Sequence, residues 1–153
     1  MPKLTSYYIE KYAGYLFAVL ATILGYCFID FRKFEINDLF FDKLVDFSGI
    51  FFGFLITILT ILISLKNEKT ELLKQHNRFK DLIFFNKEAV IVSAVICIYA
   101  IFILAFKGNI HFSFASEYDL KKYGSLLLIF LITLMVSKTF SFLKIFYDIL
   151  QKE

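Results

Sequence analysis

The stretch that decides the fold is DFSGIFFGFLITILTILISLKNEKTELLK, residues 46–74, in which small and polar residues recur inside an apolar segment. The steps between them are three or four residues, and the positions are Gly49, Gly53, Thr57, Thr60, Ser64, Asn67, Glu71 and Lys74. Residues three and four apart share one face of a helix, so these positions form a single line along it. We call the apolar part of that line, Gly49, Gly53, Thr57, Thr60 and Ser64, the small-residue stripe.

The composition is that of a membrane protein. Hydrophobic residues make up 59% of the 153 residues, the mean hydropathy is +0.69, and the chain has 21 Phe and one Pro. An ordinary soluble domain is much less apolar. A helix needs about 17 to 25 residues to cross the hydrocarbon core, and four uncharged runs approach this length. We therefore predict an all-α membrane protein with a single four-helix transmembrane domain over residues 1–153. The predicted spans are about 12–29, 47–65, 89–106 and 123–143.

The first and fourth runs need separate interpretation. The first is longer than the apolar core of a secretory signal peptide and has no small-residue cleavage site before Asp30, so we expect a membrane span. The fourth is short unless it continues past Lys138, whose side chain we expect to reach the interface by snorkelling.

The distribution of Lys and Arg predicts the orientation. The start of the chain, the connection after the second span and the tail hold 11 of the 17 basic residues, and the other two connections hold 6. Cytoplasmic segments carry the excess of positive charge, and an even number of spans leaves both termini on one side. We therefore predict a multi-pass protein of the bacterial inner membrane with both termini in the cytoplasm.

Two helices are predicted to continue into the cytoplasm. Helix two has a candidate N-cap at Asn37 or Asp38 and is expected to run past Leu65 to about Gln75. Helix four has a candidate capping box at Ser116-x-x-Asp119. Its tail is predicted to be amphipathic, and it could lie on lipid or dock on the extension of helix two. The apolar face predicted for the tail consists of Phe140, Leu143, Tyr147 and Leu150.

Several chemical functions are not indicated. Cys27 and Cys97 are predicted to lie at different depths in the membrane, so no disulfide is expected. The two His residues have no clustered ligands around them, and the chain has no phosphate-binding loop, nucleophile elbow or zinc motif. We therefore expect no enzymatic activity, no metal and no cofactor. The net charge of +3 comes from basic residues interleaved with acids, so no direct nucleic-acid binding is expected.

The small-residue stripe has two interpretations. Small residues let helix backbones approach closely, and spans one and three carry similar lines, so the stripe could serve packing alone. Its hydroxyls could bond back to carbonyls of their own helix. Alternatively, a homo-oligomer with the stripe on its axis would have a hydroxyl-lined path with a charged cytoplasmic mouth. The lines in spans one and three are Gly14, Ala18, Ala21 and Gly25, and Ala89, Ser93, Cys97 and Ala100.

The layout resembles two small membrane proteins of phage-defence systems. Four spans, inside termini, a basic connection after the segment FSGIFFGFLITILTILISLKN and the charged tail IFYDILQKE resemble RexB, the membrane component of the lambda Rex exclusion system. The plan is also similar to KwaA of the Kiwa system. The similarity is one of layout and covers nearly the whole chain. A RexB likeness implies an ion-conducting, depolarising effector triggered by a cytoplasmic partner, whereas a KwaA likeness implies an envelope sensor that holds a cytoplasmic effector.

Two hypotheses follow for the function. The first is a homo-oligomeric ion channel of abortive infection, with the second span as the pore helix. The second is a non-conducting sensor, scaffold or immunity protein. Both expect the lipid bilayer and a cytoplasmic protein as partners. The residues predicted to contact that protein are Glu71, Lys74, Arg78, Lys80 and Lys144.

Overall fold

Four long helices make up the part of the chain that the structure describes. The computed structural model describes residues 4–29, 38–64, 78–106 and 117–150. In these ranges the helices are α1 (Leu4–Phe28), α2 (Asp38–Ser64), α3 (Arg78–Phe106) and α4 (Glu117–Leu150). Each is long and apolar enough to cross a membrane, over Lys11–Phe28, Leu39–Ile61, Phe79–Ala105 and Lys122–Tyr147. Within these ranges, the predictions of an all-helical fold and of four candidate spans are confirmed. Helices suit this solvent because every backbone polar group in their interior is bonded within the helix.

The helix ends agree in part with the sequence signals. Helix α2 begins at Asp38, one of its two candidate caps, and α4 begins directly after Ser116. The predicted continuation of helix two to Gln75 lies outside the described residues. Helix α3 begins at Arg78, well before the predicted crossing, because Phe79, Leu82 and Phe85 place an apolar face at helical spacing among the charges.

The helices pack in the order α1, α4, α3, α2. The extensive contacts between elements are those of α1 with α4, α4 with α3 and α3 with α2. We call the end of the bundle that holds the starts of α1 and α3 and the ends of α2 and α4 the lower end. One buried cluster lies toward the lower end and one toward the opposite end. The lower cluster consists of Leu55, Leu82, Phe85, Ala89, Phe142 and Ile145. The upper cluster consists of Phe41, Leu44, Ile96, Ala100, Leu128 and Met135.

Both clusters are built by α2, α3 and α4. Within the part of the chain that the structure describes, α1 contributes no side chain to either of them. Helix α1 packs on α4 through its own small residues instead, with Gly14 and Ala18 buried. A Cβ atom on Gly14 would lie 3.1 Å from Ser137 Oγ, and one on Gly25 would lie 3.0 Å from Ile129 Cδ1. A Cβ atom at either position would require the neighbouring side chain to shift by a few tenths of an ångström, so glycine favours the close approach of α1 and α4.

The tail of α4 docks on the bundle with a face that overlaps the predicted one only at Leu143 among the described side chains, since Leu143 is partly buried against the lower cluster. Phe142 and Ile145 are buried in the lower cluster with Leu55 of α2. Phe140 and Tyr147 of the predicted apolar face are exposed. The sequence is apolar on both sides of this segment, so its pattern did not determine which side meets α2 and α3.

Candidate functional site

The small-residue stripe faces away from the chain's own bundle. The buried positions of α2 are Phe41, Leu44, Ser48 and Leu55. Taking about 100° of rotation per residue, the stripe is centred roughly 150° around the helix from them. All five stripe residues are exposed, and a Cβ atom on Gly49 or Gly53 would meet nothing within 4 Å. The stripe is therefore open to lipid or to another molecule.

The equivalent lines on the other helices are used inside the bundle. On α3, Ala89, Ser93 and Ala100 are buried against neighbouring helices, and Cys97 is half-buried. On α1, the line that includes Gly14, Ala18 and Gly25 faces α4. The packing interpretation thus holds for spans one and three within a single chain. For span two, packing would need a second molecule.

The hydroxyls of the stripe bond to their own helix. Thr57 Oγ1 donates to the carbonyl of Gly53 at 2.8 Å, and Thr60 Oγ1 donates to the carbonyl of Ile56 at 2.9 Å. Such bonds satisfy the hydroxyl proton without water. Each oxygen keeps lone pairs that can accept a hydrogen bond from a molecule outside the helix.

The residues predicted to contact a cytoplasmic partner are described only in part. Lys80, near the start of α3, and Lys144, near the end of α4, are both exposed at the lower end. Arg78 is the first residue of α3, and its side chain is not among those that the structure describes. Glu71 and Lys74 lie outside the described residues.

A second candidate site is an ion pair inside the bundle. Lys138 of α4 has a side chain only 1% exposed, and its Nζ lies 2.5 Å from Oε2 of Glu88 on α3. Tyr15 of α1 donates its hydroxyl to Oε1 of Glu88 at 2.8 Å. We call Tyr15, Glu88 and Lys138 together the Lys138 junction. The expectation that Lys138 snorkels to the interface is wrong, because its side chain is buried in the bundle and paired with the carboxylate of Glu88.

Further contacts bind α1 to the Lys138 junction. Lys138 Nζ donates to the backbone carbonyl of Lys11 at 3.1 Å and lies 4.0 Å from the centroid of the Tyr15 ring. The ring of Phe85 is 5.3 Å away. Lys11 Nζ lies 4.7 Å from the ring centroid of Phe84 on α3. The ammonium group of Lys138 is thus surrounded by a carboxylate, a carbonyl and two aromatic faces, which together replace water.

The Oε2 atom of Glu88 is the atom that pairs with Lys138. It is buried and has no hydrogen bond of good geometry among the described residues, so its short approach to Lys138 Nζ is an ion pair. Charged side chains in membrane-spanning segments are costly and are commonly functional. The sequence signal was present only for Lys138, which interrupts a long apolar run, since Glu88 stands beside Lys87 just before the predicted third span. Their pairing could not be read from the sequence, because they are far apart along the chain and lie on different helices.

A buried amide joins α2 to α3. Asn86 is fully buried, and its Nδ2 donates to the carbonyl of Leu55 at 3.2 Å. Its Oδ1 has no partner among the described residues. Sequence reasoning did not single out Asn86, because its neighbours Lys87 and Glu88 made this segment read as a charged connection.

Neither a known protein family nor a curated protein nor a solved structure matches this chain. Among the described residues, no group of three or more His, Cys, Asp or Glu side chains is arranged to hold a metal ion. The two candidate functional sites are therefore the small-residue stripe on the outside of α2 and the Lys138 junction between α1, α3 and α4.

Proposed function

We propose that the chain forms a homo-oligomer in the bacterial inner membrane and conducts ions along the small-residue stripe. The observation that carries this proposal is the direction of the stripe. Small residues such as Gly14 on α1 and Ala89 on α3 are buried within one chain. In contrast, a Cβ atom on Gly49 or Gly53 would meet no atom within 4 Å. Small residues on the outer face of a membrane helix favour contact between helices of different molecules. Symmetric assembly about this face would bring the hydroxyls of Thr57, Thr60 and Ser64 around a common axis.

The proposed partner acts from the cytoplasm. The excess of Lys and Arg supports a cytoplasmic location of the lower end. The excess persists when the buried Lys138 is left out, because the predicted cytoplasmic segments then hold 10 basic residues and the other two connections hold 6. The surface that would meet a partner includes Lys80 and Lys144, which are exposed at that end. The RexB-like layout supports a depolarising effector of phage defence, triggered by such a partner.

A second candidate is a non-conducting sensor or scaffold, as the KwaA-like layout implies. The observation that favours it is the bonding of the hydroxyls. Thr57 and Thr60 are satisfied by the carbonyls of Gly53 and Ile56, so neither requires a wet surface. A packed, dry interface between copies would have the same exposed stripe in the single chain.

Purified protein in a planar bilayer separates the two candidates. The channel hypothesis expects an oligomer on sizing in detergent or nanodiscs and discrete currents after reconstitution. A monomer, or an oligomer that passes no current with or without cytoplasmic extract from phage-infected cells, would contradict conduction. An oligomer without current would leave the scaffold hypothesis as the better one.

The orientation has its own test. A reporter that is active only in the cytoplasm is expected to work when fused after Glu153 or inserted near Gln75. It is expected to fail when inserted near Asn37 or Asn109, because those connections carry the minority of the basic residues. Activity at Asn37 would reverse the orientation and remove the argument for a cytoplasmic partner at the lower end.

A further inference from the structure

We propose that α1 is a detachable helix and that the Lys138 junction is a charge-operated latch that fixes it to α3 and α4. This proposal does not depend on ion conduction. It starts from the composition of the core, since the two buried clusters are built by α2, α3 and α4 within the described residues. Removal of α1 from its position on α4, which we call its seat, would leave both clusters intact.

The contact of α1 with the rest of the bundle is one-sided, because α1 packs mainly on α4. Its membrane-spanning stretch, Lys11–Phe28, has the smallest buried share of the four, 11%. Side chains such as Leu16 and Phe17 point outward and are more than half exposed. Lipid tails are as apolar as these side chains, so contact with lipid replaces contact with protein at little cost. Polar contacts must then account for most of the preference of α1 for its seat.

The polar contacts are concentrated at the lower half of α1. Tyr15 bonds to Glu88 and its ring covers the Lys138 ammonium, while Lys138 also donates to the Lys11 carbonyl. At the other end, Lys122 Nζ lies 4.3 Å from the ring centroid of Tyr26. The lower contacts share one ammonium and one carboxylate. Loss of either charge therefore weakens all of them together, because the remaining charge is left unpaired in an apolar surrounding.

This arrangement gives α1 two discrete positions. With both charges present, the Lys138 junction is closed, and α1 lies on α4 with Tyr15 bonded to Glu88 of α3. When a charge is removed or is compensated by another group, the remaining ion moves toward water, and the lower half of α1 leaves with it. Helix α1 is the element that would report such an event, since α2, α3 and α4 keep their shared clusters.

A disulfide trap measures the occupancy of the seat. The distance of 3.1 Å between a Cβ at Gly14 and Ser137 Oγ matches the separation of about 3 Å between Cβ of one cysteine and Sγ of the other in a disulfide. The parent protein for the assay is the full chain with Cys27→Ala, Cys97→Ala, Gly14→Cys and Ser137→Cys, reconstituted in liposomes. The rate of disulfide formation with a copper oxidant is the readout.

Charge removal should slow trapping. Adding Glu88→Gln is expected to lower the rate about tenfold or more, since it leaves Lys138 without its counter-ion. Adding Lys138→Met to that variant is expected to leave the rate low, because methionine donates no hydrogen bond to the Lys11 carbonyl and places no ammonium against the Tyr15 ring. The matched control is Lys87→Gln, which removes the charge of the exposed neighbour of Glu88 and is expected to leave the rate unchanged.

The proposal is overturned if Glu88→Gln traps as fast as the parent, or if the neutral pair, Glu88→Gln with Lys138→Met, does. Should Glu88→Gln not yield folded protein, Tyr15→Phe gives the same comparison. It keeps the aromatic face over Lys138 and removes only the hydroxyl bonded to Glu88, so a decrease of about threefold is expected. An unchanged rate in Tyr15→Phe would then overturn the proposal.

Discussion

The variant with Thr57→Val and Thr60→Val is expected to assemble like the wild type and to lose ion conduction. Valine keeps the branched shape of threonine and removes only the hydroxyl. Each hydroxyl donates to a carbonyl of its own helix, and each carbonyl keeps its helical partner, so the fold should lose little. A hydrogen bond in a membrane bundle contributes about 0.6 kcal/mol.

Conduction should respond far more strongly than assembly. An apolar ring in a narrow pore excludes water and closes it by dewetting. An added barrier of about 1.4 kcal/mol is enough to lower the current about tenfold. Current per reconstituted oligomer, measured in planar bilayers, is the quantity that tests this expectation.

Two matched variants isolate the effect of the hydroxyls. The change Thr22→Val removes a hydroxyl that also donates to the carbonyl four residues before it, Ala18, but lies on α1 outside the stripe. It is expected to leave the current unchanged. The double Ser variant at positions 57 and 60 keeps both hydroxyls and should conduct. Normal assembly with undiminished current in the double Val variant would assign the stripe to protein packing.

Gly53→Leu is expected to dissociate the oligomer without unfolding the chain. A Cβ at position 53 meets nothing within 4 Å in the single molecule, so leucine fits there. Between two copies in close contact, the same side chain overpacks the interface at a cost of about 1 to 3 kcal/mol. That cost corresponds to roughly a 5- to 150-fold weaker association. Sizing in detergent at several protein concentrations measures the shift.

Gly14→Leu provides the opposite result in the same assay. A side chain at position 14 collides with Ser137 and Lys138, so α1 loses its seat on α4 while the outer face of α2 is unaltered. Its oligomer size should therefore equal that of the wild type. Ala13→Leu, which adds bulk at an exposed position of α1, should change neither property. A Gly53→Leu protein with full oligomer size would exclude the small-residue stripe from the interface.

The number and type of the secondary-structure elements could be predicted from the sequence, because local apolar composition determines where membrane helices form. The sequence also predicted close packing through Gly14, Ala18 and Ala89, which steps of three and four make visible. It did not reveal that the stripe containing Gly53 points outward. Three helices carry similar lines, and which of them meet within one chain depends on the tertiary arrangement.

The Lys138 junction was missed for a different physical reason. Lys138 looked like a residue at a membrane interface, since a lone lysine in an apolar run usually snorkels. Its burial depends on Glu88, which stands just before the predicted third span and was not singled out. Charge pairs between helices leave no periodic signal in one sequence. Only the fold brings the two residues within contact distance.

One turn of α3 contacts both α2, which carries the small-residue stripe, and the Lys138 junction. Asn86 bonds to Leu55 of α2, and Glu88, two residues later, bonds to Tyr15 and pairs with Lys138. Residues two apart are separated by about 200° around a helix, so these contacts lie on nearly opposite sides of α3. A rotation of α3 about its axis moves Asn86 and Glu88 in opposite directions. Leu55 lies between Gly53 and Thr57 on α2, so one turn of α3 contacts both the helix that carries the stripe and, through Tyr15, the helix held by the Lys138 junction.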